Sequence, residues 1–241
     1  MVKLPICISG SVTKALTISR KRNPTKLDLM FGNTKLAEKE ELEILGVTID
    51  SKLTWAKHIS KVSSRAGQKL GSLRKVANKL DIRGRATVYK AQVRSVMEYA
   101  SLSWMSASPT TLGLLDSIQK KALRIIGTSE EKVRTELNIS SLHQRRQVAA
   151  ATVLYKMHTN SCPPDLKAML PQPFVATRSS LSMPSHAFTV PVSRTVSTGR
   201  TFIPSAVQVW NSLPDSVVGD ISDNGAQSFK CRVHQHLIFC A

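Results

Sequence analysis

No two aspartates are adjacent anywhere in the 241 residues. The chain therefore lacks the paired carboxylates that hold two metal ions for phosphoryl transfer. Its sixteen acids are dispersed. Asp50 stands alone at the end of an apolar run, Glu38, Glu40, Glu41 and Glu43 cluster around Lys39 in what reads as an exposed turn, and Asp220 and Asp223 fall in a Gly/Ser/Asn-rich loop. No catalytic residue and no metal ligand is expected among them. There is no G-x-S-x-G and no glycine-rich phosphate loop, which removes the serine-hydrolase elbow and the P-loop NTPases. His58, His143 and His158 fall on expected helices and read as structural or surface groups. The four cysteines, Cys7, Cys162, Cys231 and Cys240, form no C-x-x-C and read as reduced thiols of an intracellular protein, nuclear or cytoplasmic. Cys231, His234, His236 and Cys240 are zinc-ligand types, but no loop separates two pairs as in the usual finger, so no zinc is expected. No apolar run approaches the ~18 residues of a membrane span. Val2 to Ile8, broken by Lys3 and Pro5, is too weak for a secretory signal. Aromatics are 5% of the chain, leaving little for stacking on exposed bases.

Positive charge is abundant. Formal net charge is +18 and the isoelectric point is near 10.2, an excess that fits a polyanionic partner, nucleic acid before an acidic membrane surface. The excess is concentrated. Residues 57–94 hold eleven Lys/Arg against one acid, Asp81. A short cluster, Arg20-Lys21-Arg22, would serve as a nuclear address, although such clusters also arise by chance.

The chain divides by pattern. Residues 1–56 read as strands: Ala15 to Ser19 is β-prone, Leu27 to Phe31 alternates before the Gly32-Asn33 turn signal, and Leu42 to Ile49 reads as a third strand with Gly46 inside it. Residues 57–160 read as a helix bundle. At about 100° per residue, Ile59, Val62, Ala66, Leu70, Leu73, Val76, Ala77 and Leu80 share one arc; Lys57, Lys61, Arg65, Lys75 and Lys79 share another, with Lys69 between them. A second helix is expected from about Arg83 to Ala100, with Val88, Ala91, Val96 and Tyr99 inward. A third is bounded by Ser108-Pro109 and Gly127, with Leu112, Leu115, Ile118, Ala122 and Ile125 as its core stripe. A fourth begins after Ser140 or Ser141 and runs to about Thr159. Residues 161–200 carry six prolines and many Ser and Thr, and read as an irregular connection. Residues 201–241 read as a helical region: Ile203, Ala206, Val207, Trp210 and Leu213 recur at helical spacing up to Pro214, and a last helix spans about Ala226 to Leu237. The fold class expected is α+β, mostly α.

Four segments in order carry a family resemblance. The first is Leu45-Gly46-Val47-Thr48-Ile49-Asp50 with Leu53-Thr54-Trp55 and His58-Ile59. The second is Tyr89-Lys90-Ala91 through Arg94-Ser95-Val96-Met97-Glu98-Tyr99-Ala100, with Trp104. The third runs from Leu115-Asp116-Ser117 to Ile125-Ile126-Gly127, with Arg145-Arg146 downstream. The fourth is Arg200-Thr201-Phe202, Trp210-Asn211-Ser212-Leu213-Pro214 and Ser228-Phe229-Lys230. Together they resemble the C-terminal part of non-LTR retrotransposon (LINE-type, jockey-like) reverse transcriptases. The resemblance implies a small antiparallel palm remnant, a thumb-like helix bundle and a C-terminal helical region. It also implies a primer-grip-like strand at Leu45, Gly46 and Val47, where glycine lets backbone approach a nucleic-acid strand. The catalytic aspartates of that family lie on the palm before this point, and magnesium would serve the parent polymerase. Ser11 to Leu16 resembles the segment just after them, but Val12 stands before Thr13 where the family usually has lysine.

The function expected is backbone binding of template-primer nucleic acid, RNA or DNA, through Lys57, Lys61, Arg65, Lys69, Lys75 and Lys79. No cofactor and no small-molecule substrate is expected, and the chain alone should not be catalytic. Two alternatives stand beside this. The chain is part of an active reverse transcriptase completed by another chain, or it is an inert transposon relic. A basic amphipathic helix on an anionic membrane is a weaker fourth reading.

Overall fold

The computed structural model describes residues 13–19, 21, 28–175, 184–219 and 225–239. Arg20, Arg22, Leu27, the Ser11-Val12 pair, Cys7, Cys240, Asp220 and Asp223 lie outside them. The fold is α+β and mostly helical. Six short strands come first: β1 (Lys14–Ala15), β2 (Met30–Phe31), β3 (Thr34–Lys35), β4 (Ala37–Glu38), β5 (Glu41–Ile44) and β6 (Val47–Asp50). They form three two-stranded sheets. β2–β3 and β5–β6 are antiparallel, as expected, whereas the two-residue β1–β4 pairing is parallel.

The expected third strand, Leu42 to Ile49, is two strands. Ile44 pairs with Val47, so Leu45 and Gly46 are the two-residue loop of a hairpin. Both have positive φ, 49° and 79°, the backbone of the primed turns that match strand twist. Glycine satisfies that geometry at the second position without a Cβ penalty. The acidic patch is likewise not a solvated turn, because Glu41 and Glu43 belong to β5.

Helix α1 (Ala56–Val76) follows, extended by a 3₁₀ turn, Ala77–Lys79. Then come α2 (Ile82–Val88), a π-helical segment (Tyr89–Arg94) and α3 (Ser95–Glu98), which run on without a break. Asp81 caps this run by accepting from Gly84 N at 2.8 Å. Its fully buried residues are Ala86, Tyr89, Val93 and Met97; of those expected inward, Val88 and Val96 are partly buried against the core, whereas Ala91 and Tyr99 are exposed. Apolar residues lie on two arcs here, and Tyr89 with Met97 offers the larger surface to bury. Tyr99 is 56% exposed.

α4 (Ser101–Trp104) leads to α5 (Pro109–Ile126), whose Ser108 cap, leading proline and left-handed Gly127 follow the sequence signals. α6 (Glu130–Thr135) is short, and α7 (Leu142–His158) opens with a capping box between Ser141 and Gln144. The first core gathers Trp55, Ile59, Leu73, Tyr89, Trp104, Leu115 and Ile126, with α1 lying along α5.

α8 (Pro164–Lys167), α9 (Val196–Gly199), α10 (Phe202–Ser212), α11 (Asp215–Val218) and α12 (Ala226–Phe239) complete the described helices. α7 packs on α10 and α12 around Leu154, Trp210, Phe229 and Val233, and Tyr155 stacks on Phe229 with ring centroids 4.4 Å apart. α7, grouped with the bundle by sequence, therefore supplies much of the second core. Its apolar residues Val148, Ala151, Leu154 and Tyr155 face the C-terminal helices. The proline-rich connection is also anchored: Phe188 is buried, its N–H and C=O both bonded to the Asn211 side chain.

Candidate nucleic-acid interface

The junction between β6 and α1 is organised by one carboxylate. Asp50 accepts from Lys52 N (3.1 Å), Thr54 N (3.0 Å), Thr54 Oγ1 (3.1 Å) and Trp55 N (2.8 Å). These bonds hold a turn in which Leu53 and Trp55 both have positive φ. Burial works to raise the Asp50 pKa, and the hydrogen bonds together outweigh it and leave the carboxyl below its ordinary value. Trp55, 6% exposed, is a core anchor whose Nε1 donates to Ser106 Oγ at 3.0 Å. His58 is buried and its Nδ1 accepts from Thr48 N at 3.2 Å. Burial, then the nearby Lys61 ammonium, lowers its pKa, with Glu43 opposing, so it serves as a neutral acceptor. The run from Leu45 to Ile59 is therefore a fold staple that fixes where α1 starts.

The expected grip residues divide. Val47 is 8% exposed and belongs to the core, whereas Leu45 is 85% exposed at the hairpin tip. The tip is pinned from behind: Tyr99 Oη donates to Leu45 O at 2.9 Å. An apolar side chain thus stands in solvent on a strained, non-glycine left-handed backbone, held by a tyrosine 54 residues away in sequence. A shallow cleft beside it is lined by Glu43, Thr48, Lys61, Arg65, Ser95 and Tyr99.

Along α1 the basic and apolar faces separate as expected, except that Val76, expected on the apolar arc, is 42% exposed at the end of the helix. Ile59, Ala66, Leu70 and Leu73 are buried; Lys57, Lys61, Arg65, Lys69, Lys75 and Lys79 are exposed. The cations are not equivalent. Lys57 Nζ lies 2.7 Å from Glu41, and Lys61 Nζ lies 3.4 Å from Glu43 and 3.0 Å from Thr48 Oγ1. The β5 carboxylates thus neutralise the first turns of the ridge, leaving Arg65, Lys69, Lys75 and Lys79 without an ion pair among the described residues. Ser60, Ser64 and Gln68 lie between Lys57, Lys61 and Arg65 in a shallow groove and add neutral hydrogen-bonding groups. Arg74 and Lys75 also sit in the last turn of α1, where cations complement the helix dipole.

Three cations of the basic run are structural. Arg85 Nε donates to Ala77 O (2.8 Å) and Leu80 O (3.0 Å), and its Nη1 to Ile125 O and Ile126 O, tying the end of α1 to the end of α5. Lys90 Nζ donates to Leu137 O at 3.2 Å, and Arg94 pairs with Glu98 at 3.7 Å. Counting charges along the sequence misses this division: Arg94–Glu98 is a local i, i+4 pair, but the Ile125, Ile126 and Leu137 carbonyls lie 40 to 47 residues from the cations they hold. The pinning role of Tyr99 has no local signal either. Asp50 did have a partial one: an aspartate just before a turn is a residue type that bonds to nearby backbone N–H groups.

On the zinc-ligand types, His234 Nε2 lies 3.3 Å from Ser140 Oγ and Cys231 is exposed. No group of three or more His, Cys, Asp or Glu that could hold a metal occurs among the described residues. No described helix is long and apolar enough to cross a membrane.

The arrangement is that of a cationic helical ridge beside a rigid, solvent-facing hairpin. Against known proteins, the chain is similar to a probable RNA-directed DNA polymerase from transposon X-element of Drosophila melanogaster. The two are 28% identical over 120 residues, 48% of this chain and 13% of that protein, so the match spans a small part of the polymerase. No family model matches, and no solved structure matches.

Proposed function

We propose that this chain corresponds to the end of the palm, the thumb and the C-terminal region of a non-LTR, jockey-like retrotransposon reverse transcriptase, and that it holds the sugar-phosphate backbone of template-primer nucleic acid along α1. In this reading residues 1–56 are the palm remnant, 57–160 the thumb, 161–200 the connection and 201–241 the C-terminal region. The observation that carries it is the row Arg65, Lys69, Lys75 and Lys79, exposed and unneutralised on one side of a helix whose other side is locked into the core. Packing on α5 fixes the helix, so the charges are presented without an ordering cost at binding. With its 3₁₀ extension the helix reaches from residue 56 to residue 79, about 35 Å at ~1.5 Å per residue. A duplex offers one phosphate charge per ~1.7 Å of axis, so several phosphates fall within that reach. Leu45 at the hairpin tip is suited to apolar contact with a sugar edge on the same strand. The resemblance to a transposon polymerase supports the same partner. The 241 residues contain no aspartate pair, so the chain by itself is a binding element and not a catalyst. It would be found in the nucleus or the cytoplasm, where its template lies.

The test is an Arg65→Glu, Lys69→Glu, Lys79→Glu variant titrated with duplex RNA–DNA hybrid and duplex DNA. All three side chains are exposed, so circular dichroism should be unchanged. Affinity should fall sharply, and the slope of log affinity against log salt should flatten by about 2.7, from about 0.9 per phosphate contact. Unchanged affinity and slope in a folded variant would refute the proposal. A parallel primer-extension assay with magnesium or manganese should show no template-dependent incorporation.

A further inference from the structure

On a different part of the molecule, the π-helical segment, α3, α7 and α12 enclose a cleft of about 460 Å³ that shares no residue with the α1 ridge. Five cations line it, Lys90, Arg94, Arg145, Arg146 and Lys230, against one carboxylate, Glu98. Arg145 clamps Glu98 through Nε and Nη2, and Arg94 approaches the same carboxylate at 3.7 Å. One carboxylate is thus shared by two guanidiniums; Arg146 also feels Asp116 of α5 and Lys90 donates to Leu137 O, but Lys90, Arg146 and Lys230 make no ion pair among the described residues. Two donors here are left without partners among the described residues. Arg94 Nη1 is buried and unbonded, and so is the hydroxyl of Tyr89, which interacts electrostatically with Arg94, Glu98 and Arg145. A buried guanidinium N–H without an acceptor is costly, and buried cations are normally paired. The helix is also distorted where Lys90 and Arg94 leave it: Tyr89–Arg94 is π-helical, a local geometry found disproportionately at functional sites.

We infer that this cleft is a phosphate-binding site. Tetrahedral phosphate oxygens would accept from Arg94 Nη1 and from the donors of Arg146 and Lys230, supplying negative charge that Glu98, and Asp116 beside Arg146, do not balance. Arginine is the side chain best matched to phosphate geometry. Ser101, Asn138 and Gln227 complete the lining with neutral polar groups. The volume lies in the range of ordinary ligand pockets, with room for phosphate alone, pyrophosphate or a phosphate attached to a larger group. His234, on the cleft wall, reports the field there: burial first, then Arg145, Arg94 and Lys230, lower its pKa. The charged groups lining the cleft come from the π-segment (Lys90, Arg94), α3 (Glu98), α7 (Arg145, Arg146) and α12 (Lys230), and Asp116 of α5 acts on Arg146 from outside the lining.

The experiment follows the imidazole resonances of His234 in the full chain while inorganic phosphate, pyrophosphate, a 5′-phosphorylated oligonucleotide and its unphosphorylated twin are added. Lys230→Glu is the diagnostic variant, because Lys230 is exposed on α12 and bears on no core contact. Arg94→Lys is the second, keeping the charge while removing the fork. The expected result is saturable displacement of the His234 signals by phosphate or pyrophosphate, a rise in the His234 pKa on binding, and weakening by about tenfold or more in Lys230→Glu. The Arg65→Glu, Lys69→Glu, Lys79→Glu variant should bind these small anions as the wild type does, so failure of the ridge and failure of the cleft are distinguishable. Preference for the phosphorylated oligonucleotide over inorganic phosphate would assign the cleft to a strand terminus; equal affinity would assign it to free phosphate. Absence of any saturable His234 response in folded wild-type protein, or wild-type binding by folded Lys230→Glu, would overturn the inference.

Discussion

Removing two carboxylates should strengthen nucleic-acid binding. Glu41 and Glu43 hold Lys57 and Lys61 at 2.7 and 3.4 Å, so a phosphate arriving at either lysine meets a carboxylate already in place. In the wild type, four ridge cations lack such partners: Arg65, Lys69, Lys75 and Lys79. At about −0.9 per neutralised phosphate, four contacts give a slope of log affinity against log salt near −3.6 on duplex DNA, and six give about −5.4. The Glu41→Gln, Glu43→Gln variant should move from the first value toward the second and bind more tightly at low salt. Folding should change little, because both ion pairs are solvent-exposed and such pairs contribute little to stability. Glutamine retains the size of the side chain, so β5 should keep its register on β6. Fluorescence anisotropy of a labelled duplex across a salt series reads the slope directly. A variant that unfolds at the wild-type temperature yet shows a wild-type slope would refute the idea that β5 masks the start of the ridge.

The remaining predictions concern stability. Asp50→Asn should lower stability by about 2 kcal/mol, the scale of hydrogen bonds to a charged acceptor, and lower Tm in a thermal melt; an unchanged Tm would contradict the staple. Because the folded Asp50 pKa lies below its unfolded value, its contribution is complete above the unfolded pKa near 4 and is lost as pH falls through the folded value. The wild-type advantage over Asp50→Asn should therefore be full at neutral pH and disappear in acid. Leu45→Asn should raise stability by about 1 kcal/mol, since asparagine tolerates positive φ better than leucine. The same change should weaken duplex binding if the exposed leucine contacts the strand. Leu73→Ala, at 1% exposure between α1 and its neighbours, should cost about 2–5 kcal/mol as measured by urea denaturation, without altering the salt slope of the protein that remains folded.

Much of the helical architecture was legible because strong local signals agreed with the tertiary packing. Ser108, Pro109 and Gly127 bound α5 at the expected residues, and the α1 periodicity separated Ile59, Ala66, Leu70 and Leu73 from the cations. The hairpin was missed because Leu45 is a poor residue for positive φ, so the usual Asn-Gly or Asp-Gly signature is absent. The inward face of the second helix was only half read: Val88 and Val96 pack on the core, but Ala91 and Tyr99 do not, because both arcs are apolar and the π-segment breaks the regular period. The charge run looked uniform along the chain, yet Arg85, Lys90 and Arg94 turn toward carbonyls and Glu98, and Lys57 and Lys61 toward β5. Which cations remain available is a property of the folded chain, set by partners from 4 to 47 residues away.

The most direct measurement is a lysine-acetylation footprint read by mass spectrometry, with and without saturating duplex. Lys69, Lys75 and Lys79 should be strongly protected, while Lys121, Lys156 and Lys167, also exposed, on α5, α7 and α8, should react as in the free protein. Protection spread evenly over all exposed lysines, or absent from α1, would contradict the ridge as the nucleic-acid surface.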